Sequence, residues 1–186
     1  MGDAAESGPT YEDLCRVPSH LVAEIVGGDL YTQPRPGSIH ARAASRLELV
    51  LGGPFELGTG GPGGWIILFE PELHLGADVL VPDLGGWRRE TMPELPEVAY
   101  FEQRPDWACE VASPSTSGHD RVRKLPVYAR EGVPHVWIVD PGPQTLEVYR
   151  LDGETYRLVG THGGAAKVRA EPFEAAEIDL ALLWAR

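Results

Sequence analysis

Apolar positions recur along this chain with two different periods, and the changes between them mark its elements. Leu21 to Val26, then Gly27-Gly28, then residues 29–33 read as a β-hairpin closed by a glycine turn. Ahead of it, Thr10 followed by YEDLCRV has the form of a short N-capped helix with acids in its first turn, stopped by Pro18. Residues 38–51 switch to helical spacing, with Ile39, Ala43, Leu47 and Val50 along one face and Arg42, Arg46 and Glu48 off it. The glycine-rich stretch 52–64 reads as a loop without a GxGxxG or Walker pattern, so it does not predict a phosphate loop. Strands are predicted over 65–69, 72–75 and 78–84, broken by Pro71 and Gly76. A polar, proline-containing excursion over 87–105 follows.

Residues 106–112 form the next predicted strand, and 113–117 a turn rich in helix-capping serines. A helix over 118–130, bent at Pro126, ends near Gly132. The wholly apolar run 136–139 suits a central buried strand. Two more strands, 145–150 and 155–159, are joined by a turn at Asp152-Gly153, and the tail is mixed. The strand–helix–strand unit across 106–139 implies a right-handed crossover and one parallel pair. The fold class is therefore α/β (α+β): a mixed central sheet flanked by helices, with an N-terminal hairpin and C-terminal strands.

Composition narrows the function. The 186 residues suit one domain spanning 1–186. Twenty-eight acids against 16 bases leave a net charge of −12, which excludes a general coat for nucleic acid but not a local site. Cys15 and Cys109 are too few for a disulfide framework. No apolar run approaches the ~18 residues of a membrane span, and the acidic N-terminus is unlike a signal peptide. A cytoplasmic protein with no membrane partner is expected.

Candidate chemistry gathers on two strands. Period two puts Trp107, Cys109 and Val111 on one face of 106–112 and Glu110 on the other, between Ala108 and Ala112. An acid on such a face pairs with a cation or binds a metal, because burying it alone is expensive. Asp83 ends an apolar strand in the same way. Two such carboxylates suit Mg²⁺ or Mn²⁺, although each alone fits better as a strand-end ion pair or an acceptor for the serine turn. Arg121, Arg123, Lys124 and Arg130 crowd the next helix, and Lys124 is one of only two lysines in the chain. Its ammonium is a compact charge suited to a hydroxide or a phosphate oxygen. The remaining basic residues also read as a solvated face.

The residues PD at 82–83, CEVASPST at 109–116, Lys124, YAREGVPHVWIVDP at 128–141 and LEVYRLDG at 146–153 resemble the Uma family. These bacterial proteins are classed with restriction endonucleases in the PD-(D/E)XK nuclease superfamily. YEDL at 11–14, AEIVGGDLY at 23–31 and GSIHARAASRL at 37–47 extend the resemblance over nearly the whole chain. It implies a restriction-endonuclease-like fold and a metal-dependent endonuclease acting on DNA, plausibly as a homodimer. It assigns Asp83 and Glu110 as metal ligands. The superfamily lysine two residues after the acid is replaced by Ala112, and Lys124 matches the lysine that stands in for it. Glu24 matches a recurrent family glutamate, and His40 a common histidine.

Arg121, Arg123 and Arg88, the last in a 87–89 loop, are candidate backbone contacts. Glu70 reads as an extra metal ligand or, more simply, as a solvent-facing strand end. His20, His74, His119, His135 and His162 lack metal-ligand spacing, and Ser113, Ser115 and Ser117 suit capping. Cys109 reads as a core residue. A catalytically inactive binding or assembly module on the same fold is the alternative, as is a nuclease for RNA or another phosphate ester.

Overall fold

The computed structural model describes residues 8–113 and 117–185. Its first strand pair depends on two glycines. Gly27 and Gly28 take φ values of 62° and 86°, open to glycine at little cost, and close a two-residue turn between β1 (Leu21–Val26) and β2 (Asp29–Pro34). Helix α1 (Tyr11–Cys15) precedes them and carries the predicted cap, a reciprocal box between Thr10 and Asp13. Helix α2 (Ser38–Leu51) follows.

Eight further strands join β1 and β2 in building two sheets. Strands β3 (Trp65–Phe69), β4 (Leu73–Leu75), β5 (Asp78–Leu80), β6 (Leu84–Arg88) and β7 (Trp107–Val111) come before the second helical segment. That segment comprises α3 (Ser117–His119), a π turn (Asp120–Lys124) and α4 (Leu125–Arg130). Strands β8 (His135–Asp140), β9 (Thr145–Asp152) and β10 (Thr155–Gly163) follow it. The larger sheet runs β10-β9-β8-β7-β6-β3 and the smaller β2-β1-β5-β4. Pairing is antiparallel except between β7 and β8, the parallel pair that the crossover predicts. The tail adds β11 (Lys167–Val168), β12 (Ile178–Asp179) and α5 (Ala181–Trp184).

Alternation on β7 divides the core in two. Trp107, Cys109 and Val111 face α2 and the tail, where Phe173 lies 4.7 Å from Trp65, 5.0 Å from Trp107 and 5.5 Å from Trp137, centroid to centroid. Ala108 faces the other way, against Val127 and Tyr128 of α4 and Leu80 of the small sheet. No described helix is long and apolar enough to cross a membrane.

Several sequence expectations need correction. Residues 78–84 are not one strand: β5 ends at Leu80, and Val81-Pro82-Asp83 carries the chain from the small sheet to the large one. Residues 87–89 are not a loop, because Trp87 and Arg88 belong to β6 and Trp87 is fully buried. Gly85-Gly86 hid this strand, since glycine has poor strand propensity. Packing explains both glycines: a Cβ on Gly85 would lie 2.8 Å from Pro71 Cγ, and one on Gly86 3.0 Å from Trp107 Cε3.

The buried stripe of α2 is Ala43, Ala44, Leu47 and Leu51, which leaves Ile39 61% exposed over the cleft described below. The glycine stretch begins with a π turn (Gly52–Glu56) that prolongs α2. A second π turn immediately before Pro126 accommodates the proline's missing N–H, so the segment runs on to Arg130. Asp152 pairs with Thr155, which moves the last hairpin turn to Gly153-Glu154.

Propensity and packing make opposite forecasts at Gly86. Gly86→Val improves strand propensity but drives methyl groups into Trp107 and Trp65. Overpacking of this kind costs about 1–3 kcal/mol. A lower urea midpoint with an unchanged slope is expected, and a raised midpoint would refute the packing account.

Candidate active site

Glu110 is buried where β7 passes between Ala108 and Ala112, the small side chains that leave room for it. Both of its oxygens are engaged. Lys124 Nζ lies 2.9 Å from Oε2, and the Tyr128 hydroxyl donates to Oε1 at 2.6 Å. Lys124 and Tyr128 stand four residues apart across the junction of the π turn and α4, so one helical face presents both. Lys124 also meets Glu24 Oε1 at 2.8 Å and donates to the Val81 carbonyl at 3.4 Å. Glu24 reaches it from β1 and accepts from Val81 N–H at 2.7 Å.

Asp83, at the start of β6, is tied to the same strand as Glu110. Its Oδ2 accepts from Val111 N–H at 2.7 Å, and Oδ1 lies 3.1 Å from His40 Nε2 in the first turn of α2. Asp120 on the π turn completes the set. His40, Asp83, Glu110, Asp120 and Lys124 line a cleft of about 640 Å³ bounded by the hairpin end, the start of α2 and the residues after β8, with Glu24 and Tyr128 behind its wall. The structure thus brings together Glu24, His40, Asp83, Glu110 and Lys124, five residues taken from the sequence and the family resemblance.

Burial sets the electrostatics, and neighbouring charges modify it. Burial pushes the Glu110 carboxyl well up; Lys124 opposes this, while Asp120, Asp83 and Glu24 add to it. Burial alone would lower Lys124, but Glu110, Glu24 and Asp120 outweigh it and hold the ammonium above its ordinary range. His40 is raised in the same way, its hydrogen bond and charge attraction to Asp83 overcoming burial. The Tyr128 phenol is pushed up by burial and Glu110, so it remains a donor. His119 moves down through burial and lies 3.9 Å from Glu24 Oε2.

The donor set has the chemistry of a hard cation. Among the described residues four buried carboxylates, Glu24, Asp83, Glu110 and Asp120, surround one ammonium and the His40 imidazole. Each carboxylate oxygen has two lone pairs, so Glu110 Oε2 and Asp83 Oδ1 each keep one beyond Lys124 and His40. No three Asp, Glu, His or Cys side chains among the described residues form a ready-made metal cage. Mg²⁺ asks for less, commonly one or two carboxylates with water and substrate oxygens. The residues fit it on those terms.

Other expectations fare differently. Arg121 is forked onto Glu147 of β9 at 3.0 and 3.2 Å. Arg123 is exposed, 5.8 Å from the Tyr31 ring centroid, and is not among the cleft-lining residues. Arg88 ends β6 at the far end from Asp83, stacks 4.5 Å over Trp65 and is not among the cleft-lining residues. Ser113 lines the cleft, whereas Ser115 lies outside the described residues. Cys109 is buried, its thiol pushed well up by burial.

Glu70 does reach the cleft, on a backbone with φ of 45°, a left-handed value that costs a non-glycine residue about 1–2 kcal/mol. Sequence reasoning missed Asp120 and Tyr128. The spacing of Asp120 and Tyr128, each four residues from Lys124, was the available signal.

Removing the ammonium tests this balance. Breaking a buried ion pair from one side costs about 3–5 kcal/mol, so Lys124→Met in EDTA should be markedly destabilised at pH 8. The Glu110 carboxyl sits above its ordinary 4.5, which favours its protonated form in the folded state. Lys124 lowers that carboxyl, so its removal raises it further, and the variant loses more stability than the wild type as pH rises. The gap in Tm between wild type and variant should be narrower at pH 5 than at pH 8; a gap independent of pH would contradict the assignment.

Comparison with known proteins identifies the fold and the family. One matching solved structure is a crystal structure described as "a putative nuclease belonging to DUF820" from Anabaena variabilis. It superposes with a TM-score of 0.76 at 20% identity, covering 95% of this chain and 97% of that one, and so shows a shared fold. No curated protein matches in sequence. The model of the Uma2 family, described as "putative restriction endonuclease", matches residues 9–182. With that match spanning both sheets and every residue of the cleft cluster, the chain belongs to the Uma2 family.

Proposed function

We propose that the protein is a Mg²⁺- or Mn²⁺-dependent endonuclease that hydrolyses phosphodiester bonds in DNA. The reading is carried by one observation: Asp83 and Glu110 face a single cleft and are bridged through Val111 N–H, with Lys124 buried beside them. A divalent cation held by Asp83 and Glu110 supplies positive charge against the phosphate and favours ionisation of an attacking water.

The chain's own residues do the remaining work. Glu24 and Glu110 keep Lys124 protonated, so it acts as a donor and a positive charge toward the phosphate, not as the base. His40 orients Asp83 by its contact with Oδ1. Tyr128 fixes the rotamer of Glu110 through Oε1, leaving Oε2 toward Lys124. The acids of the cleft oppose a polyanion until a cation offsets them, so DNA binding should depend on metal and weaken with salt. The homodimer that the family resemblance implies is part of the same proposal, and sedimentation of the purified chain tests it.

Asp83→Asn and Glu110→Gln should each leave the fold intact and cut Mg²⁺-dependent cleavage of plasmid or oligonucleotide DNA by about 10³-fold, the scale of several kcal/mol of transition-state stabilisation. Calorimetric Mn²⁺ binding should disappear in Asp83→Asn. Undiminished cleavage in both variants would overturn the site. A wild-type protein that neither binds Mn²⁺ nor cuts any nucleic acid would instead be an inactive module on the same fold.

A further inference from the structure

We propose that Arg35 is the residue that grips a substrate phosphate, and that Glu70 holds it when the cleft is empty of substrate. The inference rests on the nuclease reading and names a specificity element of the same cleft. Among the described residues that line it, Arg35 is the one arginine. The other fixed cation, Lys124, has a side chain only 2% exposed and is committed to two carboxylates. His40 is committed to Asp83. The side chain of Arg35 is 57% exposed and its two contacts are long: 3.5 Å to Glu70 Oε2 and 3.5 Å to the Ser19 carbonyl.

The backbone beneath it is fixed. Pro34 and Pro36 flank Arg35, each with a locked φ, and a residue before proline is held extended. The guanidinium can therefore exchange partners without moving the chain. Glu70 sits opposite, its left-handed backbone anchored by its N–H to the Asp83 carbonyl at 3.0 Å. That bond joins the holder of Arg35 to the crossing that carries Asp83. A guanidinium offers phosphate a planar fork that an ammonium lacks. An incoming phosphodiester competes with the Glu70 carboxylate for that fork, so binding must offset the loss of the Arg35–Glu70 contact.

The test uses fluorescein-labelled single- and double-stranded oligonucleotides with the full-length protein in Ca²⁺, read by anisotropy over a salt series, and cleavage in Mg²⁺ read separately. Arg35→Ala should weaken binding at least tenfold and flatten the slope of log affinity against log salt by about 0.7–0.9, the value of one phosphate contact. In cleavage it should raise KM while kcat changes less than threefold. Arg35→Lys should recover only part of the affinity. Glu70→Gln should tighten binding about threefold or more, and should have no effect in the Arg35→Ala background. Wild-type affinity and slope in Arg35→Ala would overturn the proposal, and so would the absence of oligonucleotide binding by folded wild-type protein. Binding that depends on Arg35 without any cleavage would sustain it and refute the nuclease reading.

Discussion

One ammonium holds this cleft together. Lys124 is buried with Glu24 on one side and Glu110 on the other, within 2.9 Å of both. Desolvating three charged groups is expensive, and the arrangement survives because every one of them has further partners: Val81 N–H for Glu24, the Tyr128 hydroxyl for Glu110, the Val81 carbonyl for Lys124. The hairpin, the central strand and the helix after it are thereby locked to one another at the point where the chemistry is proposed. The local structure serves that end. Ala108 and Ala112 leave room for the carboxylate, and the π turn and α4 present Lys124 and Tyr128 on one face, on either side of Pro126.

How much of this was legible in the sequence depended on whether the signal was local. The Thr10–Asp13 cap, the Gly27-Gly28 hairpin and the parallel β7–β8 pair rest on short-range patterns and were foreseen. So was the side of β7 from which Glu110 projects, because alternation fixes it. Strand β6 was not foreseen, since Gly85 and Gly86 exist for the sake of Pro71, Trp65 and Trp107, which lie elsewhere in the chain. The crossing at Val81-Pro82-Asp83 was hidden for a related reason: an apolar run reads the same whether it stays in one sheet or passes between two.

The same distinction governs the site. Asp83 and Glu110 stand out at apolar strand ends, and Lys124 stands out by composition, but Glu24 and His40 came only from the family resemblance. Their places are set by the packing of β1 against β5 and of α2 against the large sheet. Arginines were the least legible. Arg88, Arg121 and Arg123 were picked for lying near the acids in sequence, and two of them are spent on Trp65 and on Glu147. Arg35, between two prolines on the hairpin's trailing edge, attracted no notice until the cleft wall was known.

The crossing at Val81-Pro82-Asp83 has a bearing on biosynthesis. The carboxylates come from Glu24, Asp83 and Glu110, but the cation that reconciles them comes from Lys124, and β7 gains its parallel neighbour only from His135–Asp140. A nascent chain therefore carries the acids out of the ribosome long before it can assemble them. Until the stretch through β8 emerges, these carboxylates have no ammonium beside them and no closed sheet to gather them. A cluster ordered this way cannot form in any truncated or stalled product that ends before Lys124.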